Sequence, residues 1–264
     1  MTLADDLILA EQAAHEAGDL LRAHWDDRGT LTIDAKRQGD FVSQADHRSE
    51  ALLRKRLLEA RPGDGWLGEE SDPSPGTRCW IVDPLDGTTN FLRGIAHWAV
   101  SIALEVDGRL VLGVVHDPLK AETFSAVTGG GLRLNGASVV PAAPVGFDAA
   151  LFGTGLPFGT MPHIDDHADD LARVLPGTAG IRRMGAAALD LAYVAAGRLD
   201  GFWERRLRPW DISAGLVLVR EAGMRVEGWT PDERPETHGT VITAPPALFD
   251  DLAARLRAPQ ASRA

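Results

Sequence analysis

The chain has 264 residues, 44% hydrophobic and 25% charged, and its 27 Lys and Arg against 38 Asp and Glu give a net charge of -11. That length fits one large domain, with sub-lobes at about 1–140 and 141–264, and the acidic balance argues against nucleic acid, whose phosphate backbone wants a basic stripe. One cysteine, Cys79, excludes an internal disulfide or a cysteine-only zinc site, and no apolar stretch reaches the roughly 18 residues of a membrane span. The acidic start Met1-Thr2-Leu3-Ala4-Asp5-Asp6 lacks the basic region of a secretory signal, so a reducing cytoplasm is the expected location.

Leu3, Leu7, Ala10, Ala14, Ala17 and Leu21 recur at helical spacing and predict a helix over 3–25. Thr30 to Val42 reads as an extended segment with Lys36 inside it. Residues 44–60 predict a second helix, stopped by Pro62-Gly63. Cys79-Trp80-Ile81-Val82 reads as a short buried strand. Further on, Val100, Ile102 and Leu104 alternate with Ser101, Ala103 and Glu105, and Leu110 to His116 resumes as a strand. Asp107-Gly108 between them signals a hairpin. Glu122 to Val127 and Gly131 to Asn135 extend this sheet.

Residues 156–180 carry Pro157, Pro162 and Pro176 and read as a loop with a helix whose limits the pattern does not define. Ala187 to Ala196 predicts a helix closed by Gly197, Phe202-Trp203 a short strand, and Trp210-Asp211 the start of a helix running through Ala222 to Gly223. Ala244 to Leu256 completes the pattern, and 257–264 reads as a frayed tail. Helices first, antiparallel strands next and mixed elements later indicate an α+β layered fold.

The chemistry concentrates after the Cys79–Val82 strand, in Asp83-Pro84-Leu85-Asp86-Gly87-Thr88-Thr89-Asn90. Two carboxylates leave a strand end three residues apart, on a turn forced by Pro84 and Gly87. Oxygen ligands there suit a hard divalent cation such as Mg²⁺, and Gly87 with the two threonines offers N–H groups and hydroxyls to a phosphate. The segment reads as a metal-dependent phosphatase site, although Asp-Pro and Asp-Gly are also ordinary turn dipeptides. An EF-hand is excluded, because Pro84 and Leu85 separate the aspartates and the residue six past Gly87 is Arg93.

Other segments supply company. Glu69 and Glu70 in Gly68-Glu69-Glu70-Ser71 follow a turn-rich stretch, and a glutamate pair in a loop is most often solvated surface. Asp211 after Trp210 fits an N-cap, and Ser43-Gln44-Ala45-Asp46 fits a capping box with Asp46 in place of the usual Glu or Gln. Taken together, Lys36 with Asp46, Gly68 to Ser71, Asp83 through Phe91, Gly185-Ala186-Ala187 and Trp210-Asp211-Ile212-Ser213-Ala214-Gly215 follow the order and spacing of the inositol monophosphatase family. The resemblance spans residues of about 36–223.

The resemblance implies a layered α/β/α/β/α sandwich of the inositol monophosphatase / fructose-1,6-bisphosphatase type, usually homodimeric. It implies two to three Mg²⁺ ions. Glu69, Asp83 and the Leu85 carbonyl would hold one, Asp83, Asp86 and Asp211 a second, and Glu69 with waters a third, looser one. Thr88 with Asp46 behind it resembles the pair that orients and deprotonates the attacking water, and Lys36 stands where the family places a lysine near the metals. Gly87 and Thr88 would hold the phosphate, and Li⁺ would compete for the Asp83–Asp86–Asp211 position. Gly185, Ala186, Glu204 and Asp211 would line the substrate pocket, with Glu204 on the hydroxyls of a phosphorylated polyol.

Two departures bear on the substrate: Arg206 replaces a glycine common in relatives, and Ala186 stands where many carry Ser or Thr. Arg206 and Arg208 are surface charges or readers of a second anionic group. Inositol monophosphate is the leading substrate, with histidinol phosphate and fructose 1,6-bisphosphate as alternatives that share the machinery. Asp-Gly-Thr-Thr-Asn-Phe argues against the nucleotide branch, where a Lys commonly follows Asp-Gly-Thr. A partner-binding protein that retains the fold is the non-enzyme alternative. Dinucleotide binding is a poor fit, since Gly153 to Gly159 has the wrong glycine spacing.

Overall fold

The computed structural model describes residues 2–30, 33–37, 40–141, 143–156 and 163–259, and the side chains of 30–42 lie outside what it describes. The predicted tail therefore falls outside the described residues from 260 onward. The chain opens with helix α1 (Leu3–Asp26), a hairpin of β1 (Ile33–Arg37) and β2 (Asp40–Ser43), and helix α2 (Gln44–Ala60). Thr2 and Ser43 start the two helices, each with a capping box to the aspartate three residues on.

A seven-stranded sheet follows, in the order β3 (Gly65–Gly68), β4 (Arg78–Asp86), β5 (Ala99–Val106), β6 (Arg109–Asp117), β7 (Glu122–Val127), β8 (Arg133–Leu134) and β9 (Ala137–Ser138). Only the β3–β4 pair is parallel. A short helix, α3 (Thr88–Arg93), interrupts the sheet between β4 and β5. The Asp107-Gly108 hairpin forms as predicted, with φ of 49° and 72°, the two left-handed residues a tight hairpin turn needs.

The second half builds a five-stranded sheet. Its elements in chain order are β10 (Leu151–Thr154), α4 (Ile164–Val174), β11 (Gly180–Arg182), α5 (Ala187–Ala195), β12 (Gly201–Arg205), α6 (Pro209–Glu221), β13 (Arg225–Glu227), α7 (Pro235–His238), β14 (Thr240–Ala244) and α8 (Pro246–Leu256). The strand order is β11-β10-β12-β14-β13.

Period-two alternation sorts the side chains into layers. Trp80, Val82, Val100, Ile102 and Leu104 pack on Ala10, Ala14, Ala17, Leu21, Leu53 and Leu57 of α1 and α2. Ile81, Ala99, Ala103 and Val115 point the other way, onto Leu189, Leu191, Ile212 and Leu216 of α5 and α6. The same helix layer buries Phe202 and Val241 of the second sheet. Phe152, Trp203 and Ile242 on the far face meet Val174, Leu248, Phe249 and Leu252 of α4 and α8. The fold is thus α+β, in five layers α/β/α/β/α. Its middle helices present their N-termini to the end of β4.

Candidate active site

Strand β4 carries a bulge at its end. Asp83 pairs with Ser101 and Asp86 with Ala99, so three steps on β4 match two on β5. Pro84 cannot donate to the ladder, and the extra residue bends the strand there. Without the bulge, residues three apart would face opposite sides of the sheet. With it, Asp83 and Asp86 share the face of Ile81, toward α5 and α6.

Both carboxylates are buried, at 2% and 8% exposure. The Asp83 carboxylate accepts the Leu85 N–H at 2.9 Å, and Asp86 accepts the Ala188 N–H of α5's first turn at 2.7 Å. Burial first, and then the neighbouring carboxylates, push both acids well above the usual range: Glu69, Asp86 and Asp211 act on Asp83, and Asp211, Asp190 and Glu69 on Asp86. Such a set is stabilised by a cation, and its all-oxygen donors suit a hard divalent ion. Among the described residues no three His, Cys, Asp or Glu side chains form a finished metal cage. The fit therefore rests on donor chemistry and mutual repulsion.

Gly87 follows with φ of 93° and caps α3. A Cβ there would crowd the His97 carbonyl, Trp98 and Ala186 at 3.1–3.3 Å, so both the turn and the packing call for glycine. Thr88 begins α3, with its hydroxyl 3.0 Å from both Asp46 Oδ1 and the Leu85 carbonyl oxygen. One hydroxyl proton serves only one acceptor at a time. Asp46 is 1% exposed; its other oxygen accepts the Ser43 N–H and hydroxyl at 2.9 and 2.7 Å. Burial raises its carboxyl above the ordinary value, against those hydrogen bonds. Asp46 is thus both the predicted capping-box residue and a partner of Thr88.

A cavity of about 120 Å³ gathers Glu69, Asp83, Leu85, Asp86, Gly87, Thr88, Gly185, Ala186, Glu204 and Asp211. Asp211 is not an N-cap. Pro209, with its fixed φ, takes the first helical position, so Asp211 is the third residue of the first turn and accepts the Arg208 N–H at 2.7 Å. Glu204 is half-buried, and its carboxyl is pushed well up by burial, Asp190 and Asp211. Lys36 lies in β1, with its side chain outside the described set.

Arg206 and Arg208 do not line the cavity. Arg206 is paired to Asp166 at 3.0 Å and sits at φ of 65°, a left-handed conformation that glycine adopts without strain. The arginine in the cavity wall is Arg183, whose charge eases the carboxyls of Asp190 and Glu204. Asp190 was also missed: it is 0% exposed, bonds His97 at 3.3 Å, and its Oδ2 has no hydrogen-bond partner among the described residues. The available signal was an acid inside the apolar helical run Ala187 to Ala196.

The profile of the inositol monophosphatase family matches residues 3–261. The chain is 45% identical over 238 residues to an inositol-1-monophosphatase of Rhizobium meliloti, with 88% of each chain covered. It is 37% identical over 254 residues to the Nus factor SuhB of Escherichia coli, with 95% of each covered. The solved structure of the extragenic suppressor protein suhB from Bartonella henselae superposes with a TM-score of 0.92 at 38% identity, covering 98% of this chain and 100% of that one.

Proposed function

Because the chain belongs to the inositol monophosphatase family, whose members are Mg²⁺-dependent phosphatases, we propose that it hydrolyses an inositol monophosphate to inositol and phosphate. The observation that carries this reading is the convergence of Glu69, Asp83, Leu85, Asp86 and Asp211 in one cavity beside the Gly87–Thr88 turn. These residues would hold two to three Mg²⁺ ions. Bound Mg²⁺ supplies positive charge for the phosphoryl oxygens and a lowered pKa for water.

The chain's own groups do the rest. Backbone N–H groups at Gly87 and Thr88 bind the phosphate. The Thr88 hydroxyl takes a proton from the attacking water while passing its own to Asp46 Oδ1, 3.0 Å away. The raised affinity of buried Asp46 for a proton suits it to that step. Lys36 belongs to the same set through the family resemblance. Ala186 leaves room at the wall, and Glu204 meets the hydroxyls of the polyol. The inositol substrate is supported by the name of the relative 45% identical. The homodimer, cytoplasmic location and lithium sensitivity belong to the same proposal.

The test is phosphate release with Mg²⁺ from inositol 1-phosphate, histidinol phosphate, fructose 1,6-bisphosphate and glycerol 2-phosphate. Preference for inositol 1-phosphate supports the reading, and preference for another ester keeps the mechanism and replaces the substrate. One observation favours a second reading, in which the fold serves a partner: a relative 37% identical carries the name Nus factor. Inactivity on every ester with Mg²⁺ demonstrably bound would favour that reading.

A further inference from the structure

Helix α2 reaches the site through one face. Asp46, Ser49 and Glu50 stand at i, i+3 and i+4, so their side chains emerge side by side. Asp46 meets the Thr88 hydroxyl, Ser49 Oγ donates to the Pro84 carbonyl at 3.0 Å, and Glu50 Oε2 accepts the Glu70 N–H at 2.7 Å. All three are buried, at 1%, 0% and 3% exposure. One helix turn thereby grips three of the segments that carry the site: the α3 start, the Pro84 bulge and the Gly68–Ser71 turn.

Glu50 is the member that meets the turn bearing Glu69. Its carboxylate lies directly under Gly68, where a Cβ would fall 2.6 Å from Oε2 and 2.7 Å from Trp66 Nε1. The Trp66 indole donates to Ser71 Oγ at 3.0 Å, anchoring the far end of the same turn. Glu69 therefore stands between a glycine pressed on Glu50 and an amide held by Glu50. Its own side chain is left to face the cavity.

We infer that Glu50 is a positioning residue: acting through the Glu70 amide, it fixes the turn that presents Glu69 to the cation. This rests on the proposed role of Glu69 as a Mg²⁺ ligand. Outer partners of metal ligands typically change affinity by about 10–100-fold when removed. A carboxylate that merely satisfied a buried N–H would leave cation affinity unmoved once the protein is folded.

The experiment is calorimetric Mg²⁺ binding to the full chain, as wild type, Glu50→Ala, Glu50→Gln and Glu69→Gln, with amide hydrogen exchange at Glu70 in Mg²⁺-free protein. Glu69→Gln should weaken binding, and Glu50→Ala should weaken it about tenfold or more. Glu50→Gln, whose amide oxygen still accepts, should stay within about threefold. The Glu70 amide should be protected in the wild type and exposed in Glu50→Ala. Wild-type affinity in Glu50→Ala alongside weakened binding in Glu69→Gln overturns the inference. Unchanged binding in Glu69→Gln overturns the parent reading, and this inference with it. If Glu50→Ala does not fold, an unprotected Glu70 amide in the wild type is sufficient to overturn it.

Discussion

Asp6 and Asp83 are buried almost equally, at 1% and 2% exposure, in opposite electrical surroundings. Asp6 is clamped by Arg61 at 2.7 Å and Arg78 at 2.9 Å, and Arg78 also holds Asp64. Asp83 is crowded by Glu69, Asp86 and Asp211, which raise its proton affinity. A buried carboxylate that comes with its own cations ties α1 to β4 and is structural. One surrounded by other carboxylates makes the fold less stable until charge arrives from outside. Depth alone separates nothing, and the sign of the neighbours does.

The sharpest way to break this comparison is Asp86→Asn. The amide oxygen still accepts the Ala188 N–H, so the fold survives while one charge is gone. Phosphate release should fall about a thousandfold or more, about 4 kcal/mol in the barrier. The Mg²⁺-free protein should gain about 1 kcal/mol as repulsion is relieved, and its melting point should respond less to added Mg²⁺ than the wild type's. An Mg²⁺-free variant no more stable than the wild type would show that the cluster is not strained.

Next in size is an acid effect at a buried histidine that bonds the Thr123 hydroxyl at 2.9 Å, where Asp117 and Asp19 only partly offset the cost of burial. Burial first, and then His15, lower the pKa of His116 to about 4 from an ordinary 6.5. The unfolded chain therefore binds this proton first on acidification. The neutral histidine's full contribution is present above about pH 6.5 and is lost as pH falls toward 4, by about 3 kcal/mol at most. Chemical denaturation across that window should show a flatter slope in His116→Gln. Parallel slopes would remove His116 from the account.

Asp6→Asn should cost about 2 kcal/mol of stability, because it leaves Arg61 without its carboxylate while Arg78 keeps Asp64, and should leave kcat within about twofold. A large loss of activity in a folded Asp6→Asn protein would erase the contrast with Asp86. The smallest effect is expected for Arg206→Gly, which removes left-handed strain and one partly exposed ion pair. Stability should shift by less than about 1 kcal/mol, and kcat/KM for monophosphates should hold. A selective loss on a bisphosphate would instead make Arg206 a substrate contact.

Much of this was legible in the residues. The helix predicted over 44–60 is α2, Gln44–Ala60, because a cap, a period and a Pro-Gly stop all agree there. The Asp83–Asn90 turn was legible for its Pro, Gly and paired acids. What escaped were short strands such as β11, β13 and β14, which exist through pairing with partners distant in the chain rather than through any local pattern. The helix read within 156–180 is α4, and only its limits escaped, since prolines and clustered acids mask its period. At the site, Arg183 and Asp190 escaped because only folding brings them beside Glu204. Asp46 forms the predicted capping box and also accepts the Thr88 hydroxyl, so the cap and the contact with Thr88 coexist on one carboxylate.

That double duty has a consequence for how the position can change. Asp46 holds the first turn of α2 through Ser43 and the start of α3 through the Thr88 hydroxyl with one carboxylate. A library screened only for soluble protein would therefore enrich Asp at 46 with no substrate present. Under the proposed mechanism, sequence statistics from such a screen would carry a catalytic imprint that nobody selected. Separating the two demands requires moving the cap elsewhere first.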